Sequence, residues 1–88
     1  MVSQKVRVTN PSGLHLRPAG NLCTEASRFQ SLITFKYKEK NTANAKSVLS
    51  VLGACVKCGE EIELICEGPD EEEALTFLIK LIESGFGE

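Results

Sequence analysis

The chain has a single histidine, His15, set in the run Ser12-Gly13-Leu14-His15-Leu16-Arg17-Pro18. A neutral imidazole, with an ordinary pKa of about 6.5, can attack phosphorus through one ring nitrogen while the other hydrogen-bonds and fixes the tautomer. A phosphoryl group seated there presents several anionic oxygens, which suit the free amides and positive dipole end of a helix starting just beyond. The Leu16 and Arg17 amides are the candidates for that contact. Arg17 adds a permanently charged, forked donor, and Ser12 a weaker hydroxyl contact. Gly13 lets the backbone approach closely. The plainer reading makes His15 a helix cap and Arg17 a solvated surface charge.

Ser47 is a second position with chemistry. Its spacing to Val48, Val51 and Leu52 makes it an N-cap. A phosphate added there would be favoured by the helix N-terminus but would put a dianion on a docking surface.

Two other clusters invite a chemical reading and are set aside. Cys55-Val56-Lys57-Cys58 has the spacing of half a zinc site or of a redox motif, yet one pair supplies only two of four tetrahedral ligands. Cys23 and Cys66 fall at core-facing positions on separate elements, so all four cysteines are read as small apolar packing residues. The acidic run Asp70-Glu71-Glu72-Glu73 is read as a helix cap and dipole complement, not a cation site. No metal and no cofactor are expected.

The elements that must position His15 follow from periodicity. Val6 and Val8 alternate with polar neighbours over Lys5 to Thr9, predicting a strand that Asn10-Pro11-Ser12-Gly13 breaks. Ala19, Leu22, Cys23 and Ala26 share one helical stripe, so a helix begins near His15 or Leu16, with Pro18 tolerated in its first turn. Ile33, Phe35 and Tyr37 mark a second strand, and Asn41 to Ala45 a short edge strand. The short helix capped by Ser47 should stop near Gly53. Ile62, Leu64 and Cys66 alternate with Glu61, Glu63, Ile65 and Glu67, giving the clearest strand. Asp70 should cap a last helix, with Glu73 completing a capping box. Ala74, Leu75, Leu78, Leu81 and Ile82 form its buried face, and Gly85 its stop.

The order is therefore β-α-β-β-α-β-α. The first helix provides a right-handed crossover between parallel first and second strands, with the last strand inserted between them. The expected fold is an α/β (α+β) open-faced β-sandwich, a four-stranded antiparallel sheet of order 1-4-2-3 covered on one face by three helices.

Residues 1–88 are expected to form one domain, because halving 88 residues would leave each part too little apolar surface to offset ordering. With 42% hydrophobic and 25% charged residues, the composition is that of a globular chain. A formal charge of -2 lacks the basic excess that drives nucleic-acid binding. No apolar run approaches the ~20 residues of a membrane span, and the N-terminus has no basic segment leading into an apolar one. A cytosolic monomer is expected.

The segment Gly13-Leu14-His15-Leu16-Arg17-Pro18-Ala19 closely resembles the active-site signature of HPr, the histidine-containing phosphocarrier family of the bacterial sugar phosphotransferase system. The resemblance covers essentially the whole chain, including Lys46-Ser47-Val48. It independently implies the open-faced sandwich. It further implies that His15 accepts phosphate from phosphoenolpyruvate-charged enzyme I and donates it to the A component of a sugar-specific enzyme II, with Arg17 assisting. Partners would dock on Leu16, Arg17, Leu49 and Leu52. Firmicute-type members are phosphorylated at the serine matching Ser47 by a dedicated kinase, which links them to carbon catabolite repression and its transcription regulator. Here Ser47 stands one residue further from the histidine, consistent with an insertion near Lys38-Glu39-Lys40, and Leu49 replaces a frequent methionine. The alternative implied is a regulatory binding protein acting through Ser47 only, and the pairing of His15 with Arg17 argues against it.

Overall fold

The computed structural model describes residues 1–88. Four strands, β1 (Val2–Arg7), β2 (Leu32–Tyr37), β3 (Asn41–Asn44) and β4 (Glu61–Glu67), form one sheet in the order β1-β4-β2-β3, antiparallel throughout. Helices α1 (Leu16–Ala26), α2 (Val48–Ala54) and α3 (Glu71–Glu83) cover one face. The expected fold and strand order are those observed.

Alternation decides which face is covered. Val6, Ile33, Phe35, Ala43, Ile62, Leu64 and Cys66 point into a core shared with Ala19, Leu22 and Ala26 of α1, Val51 and Ala54 of α2, and Ala74, Leu78, Ile79 and Ile82 of α3. On the bare face Lys5, Glu63 and Lys36 stand level across three strands, an opposite-charge arrangement suited to solvent.

Several boundaries differ from expectation, each for a physical reason. β1 starts at Val2 because Val2–Arg7 pairs residue for residue with Glu61–Cys66, whereas Val8 is held by isolated bonds to Glu60 and Gly59. The β2–β3 turn places Lys38 (φ 48) and Glu39 (φ 72) in left-handed conformations without glycine, so no turn residue announced it. Helix α2 runs through Gly53 and ends at Cys55, itself left-handed at φ 52.

The Asp70 cap is a correction. Its carboxylate makes no cap bond to α3 and instead accepts from the Gln30 amide (2.9 Å), the Ser31 amide (3.0 Å) and the Ser31 hydroxyl, tying the start of β2 to the start of α3. Those hydrogen bonds, the Ser31 hydroxyl first, hold the Asp70 carboxyl below the usual carboxylate range. Glu73 builds no capping box, and Glu71 accepts from the Gly68 amide in its place. On α3, Ile79 is buried while Leu75 and Leu81 are only half-buried flanks. Gly85 (φ 74) does end the region, and a short 3-10 turn, Gly85–Gly87, follows.

The cysteines are a second correction. Cys66 is buried and Cys23 half-buried, but Cys55 and Cys58 are exposed and do not belong to the core, their thiols reaching the Leu52 (3.7 Å) and Thr9 (3.4 Å) carbonyls instead. Both follow α2 in a segment outside regular structure, so helical spacing was no guide to their burial.

Candidate functional site: an exposed histidine at a helix start

His15 is the N-cap residue of α1, with extended backbone (φ -84, ψ -165). Its carbonyl accepts the first helical bond from Ala19 at 2.8 Å, while its side chain caps nothing. The imidazole is exposed. The next two amides, Leu16 and Arg17, donate to no protein acceptor, and Pro18 has no N–H to offer. A free imidazole therefore stands directly before two free amides at the positive end of an 11-residue helix.

The loop behind His15 is fixed by backbone contacts. Gly13 (φ 63) donates to the Asn10 carbonyl at 3.0 Å, and Leu14 donates to the Val56 carbonyl at 2.9 Å. A Cβ on Gly13 would lie 2.5 Å from the Val56 oxygen, so both the positive φ and the close approach require glycine. Leu14 is buried, anchoring the chain one residue before the imidazole.

Ser12 does not stand free beside His15, as the sequence suggested. Its hydroxyl donates to both carboxylate oxygens of Glu88 (2.9 and 2.8 Å), and Asn10 Nδ2 donates to Glu88 Oε1 at 3.1 Å. These bonds, that of Ser12 first, hold the Glu88 carboxyl below the ordinary glutamate range, and Arg17 adds a smaller favourable charge effect. Glu88 was missed in the sequence. It reaches the loop because Gly85, Phe86 (φ 56) and Gly87 turn the chain back, with Phe86 buried as the anchor. The pair of glycines around an aromatic was the available signal.

An open hollow of about 400 Å³ adjoins the imidazole, lined by His15, Ser12, Leu14, Leu52, Cys55, Val56 and Lys57. Leu52 is half-buried in its wall, whereas Leu16 (64% exposed) and Leu49 (83%) project from α1 and α2. The two helices pack on one another. Arg17 is exposed and forms no ion pair. At the start of α2, the Ser47 hydroxyl accepts the Ser50 amide at 3.2 Å, the expected N-cap.

The imidazole is thus exposed on a small open-faced sandwich, at the edge of an open hollow. Residues 2–84 match the family model described as the PTS HPr component phosphorylation site. The chain is 42% identical over 88 residues to the phosphocarrier protein HPr of Treponema pallidum, covering 100% of this chain and 99% of that one. The crystal structure of HPr-C-His from Thermoanaerobacter tengcongensis superposes with a TM-score of 0.95 at 41% identity, covering 100% of this chain and 98% of the other. The solution structure of Crh, the Bacillus subtilis catabolite repression HPr, gives a TM-score of 0.68 at 40% identity, with coverages of 92% and 95%. The chain belongs to the HPr family of phosphocarrier proteins, and its role is that of a carrier, not of a catalytic enzyme.

Proposed function

We propose that His15 accepts a phosphoryl group from enzyme I charged by phosphoenolpyruvate and passes it to the A component of a sugar-specific enzyme II. The observation that carries this reading is the free imidazole immediately before the two free amides of Leu16 and Arg17. In each transfer a nitrogen–phosphorus bond forms on the accepting histidine as the donor's bond to phosphorus breaks. The amides and the Arg17 guanidinium offset charge on the phosphoryl oxygens. Exposure keeps the phosphohistidine open to its next acceptor.

Leu16, Arg17, Leu49 and Leu52 supply the surface on which those partners dock, apolar side chains around one cation. Ser12 joins the phosphoryl contacts only after leaving Glu88. Ser47 is the site of regulatory phosphorylation by a serine kinase, reversed by a phosphorylase, and the modified form is read by a catabolite-control transcription regulator. The kinase must displace the Ser50 amide from the Ser47 hydroxyl. The likeness to Crh supports that branch, and the retained His15 with Arg17 tells against a protein acting through Ser47 only. No helix is long and apolar enough to cross a membrane. We place the carrier in the cytoplasm, as a monomer that inserts into no membrane and binds no nucleic acid.

The test is a relay. Phosphoenolpyruvate, enzyme I, this chain and an enzyme II A component are combined, and the phosphate on the A component is followed with and without this chain. Appearance only when the chain is present supports the reading, and equal labelling without it contradicts the relay.

A further inference from the structure

The four thiols fall into two classes. Cys66 is fully buried, and that burial, helped by the charges of Asp70 and Glu71, pushes its thiol up to about 11. The half-buried Cys23 donates to the Lys46 carbonyl at 2.9 Å. Cys55 and Cys58 are both exposed, with two residues between them, and nothing in the carrier reading uses them. Buried structural cysteines are inert, so of the four only the exposed pair is fully open to reagents.

Their placement ties them to the site. Cys55 ends α2 in the left-handed conformation (φ 52, ψ 41), where glycine or asparagine is ordinarily favoured, and it lines the hollow beside His15. Cys58 sits in the following turn, its Sγ 3.4 Å from the Thr9 carbonyl. The segment between them packs backbone to backbone on the His15 loop. Val56 accepts the Leu14 amide, and a Cβ on Gly13 would lie 2.5 Å from Val56 O and 2.8 Å from Lys57 Cα. Close packing of this kind transmits displacement instead of absorbing it.

We infer that Cys55 and Cys58 form a peroxide-sensitive dithiol whose oxidation to a disulfide gates partner access to His15. The Cys55 thiolate attacks one oxygen of hydrogen peroxide: a sulfur–oxygen bond forms, the oxygen–oxygen bond breaks, and the departing hydroxide takes a proton to become water. The Cys58 thiolate then attacks the sulfenic sulfur of Cys55, forming the disulfide and releasing the second oxygen as water. Two thiols lose two electrons and two protons, and one peroxide becomes two waters. A dithiol reductant reverses the change by exchange. A disulfide holds its Cα atoms within about 4.4–6.8 Å, and any shift of Val56 on closure passes through the Leu14 amide to His15. The gating step rests on the carrier reading, whereas the oxidation does not.

The experiment treats the reduced full chain with hydrogen peroxide, removes the excess with catalase, and measures intact mass and disulfide-linked peptides before enzyme I and phosphoenolpyruvate are added. The expected result is a monomer lighter by about 2 Da, with Cys55 joined to Cys58. Its initial rate of phosphorylation should be slower by about fivefold or more and recover on reduction with dithiothreitol. Cys58→Ser, which can form the Cys55 sulfenic acid but not the disulfide, should be phosphorylated at the reduced wild-type rate before and after peroxide. Absence of the Cys55–Cys58 link, including its replacement by links between chains, overturns the proposal. So does a disulfide-bearing chain phosphorylated at the reduced rate. Failure of the reduced wild type to accept phosphate would sink the carrier reading and the gating with it, while the mass would still decide whether the dithiol exists.

Discussion

Leu14 donates its backbone N–H to the Val56 carbonyl at 2.9 Å, fastening the chain one residue before His15 to the segment that follows α2. The imidazole is thus exposed on a loop that is itself held in place, an arrangement that would present the histidine to a partner in one geometry. Gly13 is what permits the approach, since a Cβ there would stand 2.5 Å from the same carbonyl oxygen.

Gly13→Ala should accordingly lower stability by about 2 kcal/mol, from the steric overlap and the positive φ together. In a domain of this size that is a fall in Tm of about 8–16 °C. Thermal unfolding checks it, and an unchanged Tm would mean that the loop is free to move off Val56.

Ser47→Ala removes the side-chain acceptor for the Ser50 amide and should cost about 1 kcal/mol, or about 4–8 °C in Tm. Ser47→Asp should recover most of that loss, because a carboxylate caps equally well and favours the helix N-terminus. Parallel melts of the three proteins separate capping from any regulatory role.

Glu88 titrates below the ordinary glutamate range chiefly because the Ser12 hydroxyl donates to it. A folded pKa lowered in this way means that the contact contributes stability above the unfolded value of about 4.3 and loses it as the pH falls through the folded value. Ser12→Ala should therefore move the Glu88 carboxyl midpoint up towards 4.3, followed by NMR of its side-chain carbon. An unmoved midpoint would show that Ser12 is not the principal donor in solution.

Leu49 is 83% exposed on α2, so Leu49→Asp should leave stability within about 0.5 kcal/mol of wild type. If partners dock on that surface, the KM of enzyme I for the chain should rise about fivefold or more, with kcat little changed. A loss of Tm without a change in KM would assign Leu49 to folding.

The sheet and its order were legible because Val6, Phe35, Leu64 and their neighbours alternate cleanly, and because pairing rules with a right-handed crossover favour this arrangement of the strands. His15 and its helix were legible from Pro18 and the stripe of Ala19, Leu22 and Ala26. What escaped was set by contacts distant in sequence. Asp70 has the type of a cap, yet two amides and a hydroxyl some forty residues earlier compete successfully for its carboxylate. Ser12 has the type of a hydroxyl contact to a phosphoryl group, yet it is engaged by Glu88, which only the turn at Phe86 brings near. Cys55 and Cys58 lie outside any periodic element, so no pattern predicted their exposure.

The central claim is that His15 itself receives the phosphoryl group. Wild type and His15→Ala should each be incubated with phosphoenolpyruvate and enzyme I, with controls lacking enzyme I, and weighed intact. The account predicts a single phosphate on the wild type, labile to acid and stable to hydroxide, and none on the variant. A wild type that gains no mass, or a variant that gains the same acid-labile phosphate, would contradict it.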